Sequence, residues 1–394
     1  MISFDEALTI LSSAARPIGT ETIGIECAAG RVLAANVIAA IDSPRAGVSA
    51  MDGYAVCEAD LAHVPARLRV SGESFPGRLP RPITNGACVR IFTGAPVPAG
   101  ADRVVIQEIV RRDGEWAIFE HEPGSARHIR PQGSDFRSGE RLLTTGTLLD
   151  ARSVLAAAAA DMPSVEVSRR PRLAIIATGD ELAGPGSARD NPAASPDSVS
   201  LGVAAFSEQW GGQCLARTRM GDDREQLEAV AREALDIADL VIVTGGASVG
   251  EKDFAKAMFQ SAGLELLFSK VAIKPGKPVW LGRAAGKLVL GLPGNPTSAL
   301  VTARLFLAPL LCALTGRHPA SALQWRKAAA TVPLPACGDR ETFVRARWSG
   351  EMIEPLSDQD SGAQRALAEA ALLVRRSIDA PAAAAGEMVD VLTF

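Results

Sequence analysis

The sequence predicts a multidomain chain of α/β plus β class, and three observations carry that expectation. Apolar runs at 173–177, 240–243 and 288–290 show no polar alternation, and each ends in a glycine turn, as strands buried on both faces of a parallel sheet do. Residues 55–135 break instead into short apolar runs separated by Gly and Pro clusters, which reads as a compact β domain. From Trp325 onward short β-like runs return and form a further small region. The 394 residues suggest several domains, and a 47% hydrophobic content gives each one a core.

Taken in order, Ser3-Phe-Asp-Glu6 is a capping box opening a helix that runs to about residue 15, with Leu8 and Leu11 toward its core. A short element at 31–40 follows, then a loop through Asp42-Ser-Pro and Met51-Asp52-Gly53-Tyr54 that feeds a strand. Inside the β domain, 91–102 holds Thr93-Gly94 and a rigid Pro/Gly loop, and 129–140 is a second glycine-punctuated loop containing Asp135. Residues 151–161 are an alanine-rich helix stopped by Pro163. The expected domains are 1–45 with 136–168 as a linking unit, 46–135 as the β domain, 169–318 as the α/β domain and 325–394 as the last.

In the α/β part, the first strand ends in Thr178-Gly179-Asp180-Glu181, and a Gly/Pro/Ala-rich loop spans 184–196. A helix over 199–210 comes next, and Asp222-Asp223-Arg224 caps another that runs to about residue 238. The run 240–243 ends in Thr244-Gly245-Gly246-Ala-Ser248-Val-Gly250, followed by a helix over 252–262. Residues 264–271 are extended, and Lys274-Pro-Gly-Lys277-Pro278 is a stiff basic loop. The strand at 288–290 leads into Leu292-Pro293-Gly294-Asn295-Pro296-Thr-Ser298, where Pro296 suits the first position of a strongly apolar, central helix. Strands at 328–332, 342–346, 352–355 and 388–392 and a helical piece at 364–371 close the chain.

Composition excludes several classes. A net charge of −4 argues against bulk nucleic-acid binding. The acidic start, Met1-Ile-Ser-Phe-Asp-Glu6, is no secretory signal, and no apolar run approaches the length of a membrane span, so a cytoplasmic chain is expected. The 6 cysteines form no Cys-x-x-Cys pair and the 4 histidines show no ligand spacing, so neither disulfides nor structural zinc is expected. There is no Walker loop and no Ser/His/Asp or Cys/His nucleophile arrangement.

The chemistry therefore rests on strand-end turns. Glycine lets a backbone approach a ligand closely, and a following helix turns its unpaired amides toward the same space, which suits an oxyanion. One such turn is most simply a chain reversal; three on one sheet edge, where α/β proteins bind ligands, form a site floor. Lys274 and Lys277 are surface lysines when read alone and an anion clamp when read beside those turns. The acids Asp52, Asp135, Glu181, Asp222 and Asp253 would repel a phosphate unless a cation such as Mg²⁺ intervened. For Asp222 and Asp253 helix capping is the plainer alternative. Asp52 and Asp135 lie outside the α/β region and would have to reach it by domain folding or from a second subunit.

Six stretches, 49–56, 93–102, 177–181, 244–250, 274–278 and 292–296, together resemble the molybdopterin molybdenumtransferase family, which includes bacterial MoeA proteins and the E domain of gephyrin. The resemblance runs in order over nearly the whole chain. It implies a homodimer with four domains per subunit, among them a central molybdopterin-binding α/β domain and a C-terminal small β-barrel. The implied reaction inserts molybdate into adenylylated molybdopterin and releases AMP, with Mg²⁺ on Asp222 and Asp253. It places Asp52, Thr93, Asp135, Glu181, Asp222, Asp253, Pro293 and Pro296 among active-site positions. Lys274, Lys277 and Ser298 match positions for molybdate handling, and Arg345 and Ser361 are the matching positions in the last domain. Thr178, Gly179, Gly245, Gly246, Ser248, Gly250, Gly294 and Asn295 would line the pterin nucleotide. The adenylyltransferase that supplies the substrate and the recipient molybdoenzymes are the implied protein partners. The chain departs from the family where Asp197-Ser198-Val199 replaces Asp-Ser/Thr-Asn, and where 359–370 keeps fragments of Gln-Gly-Ser…Ala-Asn. Those departures leave a non-catalytic pterin carrier or scaffold that docks a molybdoenzyme as the alternative.

Overall fold

The computed structural model describes residues 1–246 and 254–394. Its organising element is a six-stranded sheet in the order Gln213–Met220, Arg172–Thr178, Leu240–Thr244, Lys287–Leu292, Trp280–Ala284, Glu265–Ser269. The first four strands are parallel and the last two antiparallel, so the sheet is mixed at one edge. Leu240–Thr244 is buried along its whole length, as its unbroken apolar run requires. The edge strand Gln213–Met220 alternates between exposed and half-buried positions, and the sequence reading had no strand there.

Helix Pro296–Leu314 packs against this sheet, with a π-helical turn at Ala303–Leu307. The sequence predicts this helix as apolar and central but no run of membrane-spanning length; by length and composition the helix could cross a membrane, yet 94% of it is buried within the protein. Its all-round apolarity answers to a core that surrounds it. The one cation inside it, Arg304, donates from Nε to the Thr393 carbonyl at 2.8 Å and lies 4.9 Å from the Trp210 ring, and burial pushes its pKa down to about 10.

Helix Phe4–Ala14 has the reciprocal capping box its sequence announces. Phe4, Ala7 and Leu11 join the core of the mixed sheet, and Phe4 meets Phe306 and Phe343 edge-on at 5.5 and 5.3 Å. A separate core gathers Leu33, Val37, Phe136, Leu149, Ala157 and Val167, residues from both sides of the β domain in sequence. Strand Thr20–Gly24 pairs with Ser164–Ser168 to tie those two pieces. The β domain is a six-stranded sheet of its own, with Gly53–Val56 between Arg103–Ile106 and Ala87–Ile91.

The C-terminal unit is an open, half-barrel sheet built on Glu341–Ser349, Leu372–Arg376, Met388–Thr393 and Arg326–Ala329. The strand Leu372–Arg376 has no counterpart in the sequence reading, whose helical piece over 364–371 is the shorter helix Gln364–Glu369. The short strand Ile273–Lys274 pairs in parallel with Glu341–Thr342, so the basic loop starts on the seam between the two sheets.

Candidate active site

The parallel strands end level with one another: Thr178 pairs with Met220, Ala177 with Thr244, and Thr244 with Leu292. The turns that leave them share a cleft of about 840 Å³. Thr178, Gly179 and Glu181 line it from the first turn, Asp222 from the second, Gly245 and Gly246 from the third, and Pro293, Gly294, Asn295 and Pro296 from the fourth. Thus one wall brings together ten of the positions singled out from sequence.

The turns meet backbone to backbone. Gly245 has φ +88°, and a Cβ there would stand 2.4 Å from the Thr178 carbonyl oxygen. A Cβ on Gly294 would come within 3.2 Å of Gly245 Cα. No side chain fits between these turns, so the floor is made of main-chain groups. The hydroxyl of Thr178 is buried beneath them and has no hydrogen-bond partner among the described residues. A buried donor of this kind is left for a ligand or water to satisfy.

Two carboxylates missed as site residues set the acidic side. Asp180 Oδ1 accepts the Asp222 amide at 2.9 Å, and a Cβ on Gly221 would collide with that same oxygen at 2.7 Å. Asp180 lay inside the Thr-Gly-Asp-Glu motif; the signal was present and assigned to its neighbour. The cap of helix Arg224–Ile237 is Asp223, whose side chain accepts the Gln226 amide at 2.9 Å. Asp222 therefore is not that cap, and it borders the cleft. Asp197, 2% exposed, accepts from the Ser200 amide at 3.1 Å and from the Ser200 hydroxyl, with Arg217 at 3.5 Å. It holds the entry of helix Val199–Gln209, where Val199 turns into the core with Val203 and Phe206.

The basic loop touches the cleft through Pro278. Its Gly276 (φ +103°) is pressed on the central helix, since a Cβ would fall 2.2 Å from Thr302 Cγ2. Lys274 and Lys277 are both exposed. Lys274 lines a different depression of about 220 Å³ with Arg340, Thr342 and Arg376. Ser298 is buried on the first turn of the helix and off the cleft wall. From the C-terminal unit, Gly362 and Gln364 complete the wall, and Ser361 Oγ accepts from Asn295 Nδ2 at 3.0 Å. Arg345 is enclosed behind that loop and does not line the cleft.

Asp52, Thr93 and Asp135 lie off this wall. Asp52 Oδ1 accepts both the amide and the hydroxyl of Thr93, at 2.7 and 2.8 Å, across the β-domain sheet. The Thr93 amide first and its hydroxyl second hold the Asp52 carboxyl below the usual carboxylate range. Asp135 is exposed on the loop that its amide pins to the Ser43 carbonyl at 2.9 Å. Ser248, Gly250 and Asp253 fall outside the described residues. The described residues contain no group of three or more potential metal-ligating side chains, and of the expected Mg²⁺ pair only Asp222 falls among them, on the cleft lining.

Comparison with known proteins agrees with this geometry. Three family models match in sequence: "MoeA N-terminal region (domain I and II)" over residues 2–160, "Probable molybdopterin binding domain" over 174–313 and "MoeA C-terminal region (domain IV)" over 327–394. A molybdopterin molybdenumtransferase of Haemophilus influenzae is 34% identical over 88% of this chain and 85% of its own. One of Nostoc sp. is 34% identical over 82% and 76%. A crystal structure of a molybdopterin biosynthesis MoeA protein from Pyrococcus horikoshii superposes with a TM-score of 0.87 at 25% identity, covering all of both chains. A second structure of a MoeA protein from Pyrococcus horikoshii gives 0.84 at 28% identity, covering 100% of this chain and 99% of its own.

Proposed function

The chain belongs to the molybdopterin molybdenumtransferase family and has a role in molybdenum cofactor biosynthesis, and from that premise we propose that it inserts molybdate into adenylylated molybdopterin and releases AMP. The observation that carries the reading is the main-chain floor beneath Thr178, Gly245 and Gly294, closed to side chains and open to a phosphorylated ligand.

In this reading the amides of the glycine turns hold the phosphates and the Thr178 hydroxyl donates to one of their oxygens. Asp222, with Asp253, would hold a Mg²⁺ ion, whose charge would offset that of the anhydride. Lys274 and Lys277, on the seam beside the cleft, draw in the molybdate dianion. A molybdate oxygen attacks the adenylyl phosphorus and the P–O–P bridge breaks, so the molybdopterin phosphate leaves and a molybdate–AMP anhydride forms. The two dithiolene sulfurs then attack molybdenum, the Mo–O bond to AMP breaks, and AMP leaves with that oxygen. No protein nucleophile is needed.

Asp52, Thr93 and Asp135 enter this scheme through a second copy, because they lie off the cleft of their own chain. The reading is thus of a cytoplasmic homodimer with four domains per subunit, fed by a molybdopterin adenylyltransferase and delivering to molybdoenzymes. The separate cores of the linking unit, β domain, mixed sheet and C-terminal sheet support that division.

The test is to mix the protein with adenylylated molybdopterin and Mg²⁺ and to follow AMP with and without molybdate. Molybdate-dependent AMP release is expected. Tight pterin binding with no AMP release would sink the enzyme reading and leave a carrier.

A further inference from the structure

We propose that Arg345 and Gln359 are positioning residues that jointly fix loop 358–362 as a wall of the cleft, and that Arg345 does not itself meet the substrate; this rests on the insertase reading. Arg345 lies on strand Glu341–Ser349 and is 1% exposed. Its Nη1 donates to the Asp360 carbonyl at 3.0 Å and its Nη2 to the Asp358 carbonyl at 3.2 Å. The planar fork of a guanidinium suits two acceptors set side by side on one loop. Of the guanidinium nitrogens Nε alone has no partner among the described residues, and it is enclosed in protein. To reach an anion in the cleft, the side chain would have to release both carbonyls.

Gln359, between those two carbonyls, turns its carboxamide back to the strand. Its Oε1 accepts the Arg345 amide at 3.0 Å, and its Nε2 donates to the carbonyls of Arg345 at 2.9 Å and Leu356 at 2.8 Å. The side chain thus extends the pairing of strand Met352–Pro355 past its end: it satisfies the Arg345 amide and shares the Arg345 carbonyl with the Leu356 amide, which donates to it at 2.9 Å. Two Asp side chains tighten the turn: Asp358 Oδ1 accepts the Asp360 amide and Asp360 Oδ1 accepts the Gly362 amide, at 2.9 and 2.8 Å.

The far side of the loop seats on the central helix. Asn295 stands at that helix's cap position but its side chain caps nothing; it donates to Ser361 Oγ instead. The Ser361 carbonyl accepts the Thr297 amide at 3.1 Å, one of the first-turn donors a helix leaves unpaired. The loop of one unit therefore caps the helix of another. Moving it would shift Gly362 and Gln364 on one side of the cleft and the Pro293–Pro296 turn on the other.

A double-mutant cycle tests this. Arg345→Met and Gln359→Met should each raise the half-saturating concentration of adenylylated pterin about tenfold, with a smaller effect on the turnover of bound substrate, and the double variant should be no worse than either single one. Arg345→Lys should resemble Arg345→Met, because one ammonium cannot span both carbonyls. The proposal is overturned if lysine restores wild-type behaviour, if the two effects multiply to about a hundredfold, or if the single variants bind normally. Should the Met variants melt, Ser361→Ala removes one contact at the loop tip and should still weaken pterin binding severalfold; unchanged binding would overturn the proposal. If the wild type itself releases no AMP, the insertase reading fails, and the same cycle read on direct molybdopterin binding still decides the positioning role.

Discussion

Among the carboxylates that accept a backbone amide from another segment, Asp180 and Asp52 sit in contrasting surroundings. Asp180 accepts the Asp222 amide at 2.9 Å, among strand-end turns packed main chain to main chain. Asp52 accepts the Thr93 amide at 2.7 Å on the β-domain sheet, where a Cβ on neighbouring Gly94 would meet nothing nearer than Pro76 at 3.9 Å. The first surrounding is close-packed and tolerates no added atom; the second is open on the Thr93 side, while on the Asp52 side Gly53 is pressed on the sheet, where a Cβ would stand 2.0 Å from the Val105 carbonyl oxygen. Rigidity at the sheet edge comes from steric exclusion. At the β-domain loop the charged acceptor Asp52 adds to main-chain bonds, among them Gly94 to the Ser49 carbonyl at 2.8 Å and Ser49 to the Ala95 carbonyl at 2.9 Å.

The sharpest way to break the first region is Gly245→Ala. The new methyl group meets the Thr178 carbonyl oxygen at 2.4 Å and forces a non-glycine residue to φ +88°. Strain and overlap together should cost about 3 kcal/mol or more. A denaturant or thermal melt reads the loss directly. Stability within about 0.5 kcal/mol of wild type would mean that the turns have room to move apart.

A pair of neighbouring acids separates chemistry from folding within the same edge. Asp223 caps helix Arg224–Ile237, so Asp223→Ala should lower stability by about 1 kcal/mol with turnover little changed. Asp222 borders the cleft, so Asp222→Asn should lower molybdate-dependent AMP release by about a hundredfold, far more than Asp223→Ala does. The reverse pattern would return Asp222 to a structural role.

How far the sequence announces these features depends on the range of the interaction that makes them. The turns at Thr178, Gly245 and Pro293 are legible because each is a local event, a β-branched run followed by glycine or proline, and the parallel sheet aligns them without further information. The capping box at Ser3 and Pro296 at its helix start are local in the same sense. Strand Gln213–Met220 was not legible, because an edge strand carrying Arg217 and Arg219 shows no apolar run. Arg345 was legible as a matched position but not as a buried one: its partners lie 13 to 15 residues away, and only the fold of the last sheet turns it inward. The two lysines were read as an anion clamp beside the glycine turns; the strand pairing of Ile273–Lys274 with Glu341–Thr342, which sets Lys274 at the seam, was not legible in that local pattern.

The gentlest probe acts on the open region. Thr93→Val removes one of the two donors on Asp52 Oδ1 and keeps the shape of the side chain. The amide bond, the larger cause of the lowered Asp52 pKa, stays, so the carboxyl should titrate higher than in wild type yet still below an ordinary aspartate. A group whose pKa is depressed by folding stabilises the fold at pH above its unfolded value and loses that contribution as the pH falls through its folded value. In Thr93→Val the loss should therefore begin at a higher pH, with neutral-pH stability nearly unchanged because the pair is open to solvent. Carboxyl-carbon NMR titration of Asp52 in both proteins measures this directly. An unshifted midpoint would mean that the Thr93 amide alone sets the charge, and that the hydroxyl is free to turn toward a ligand.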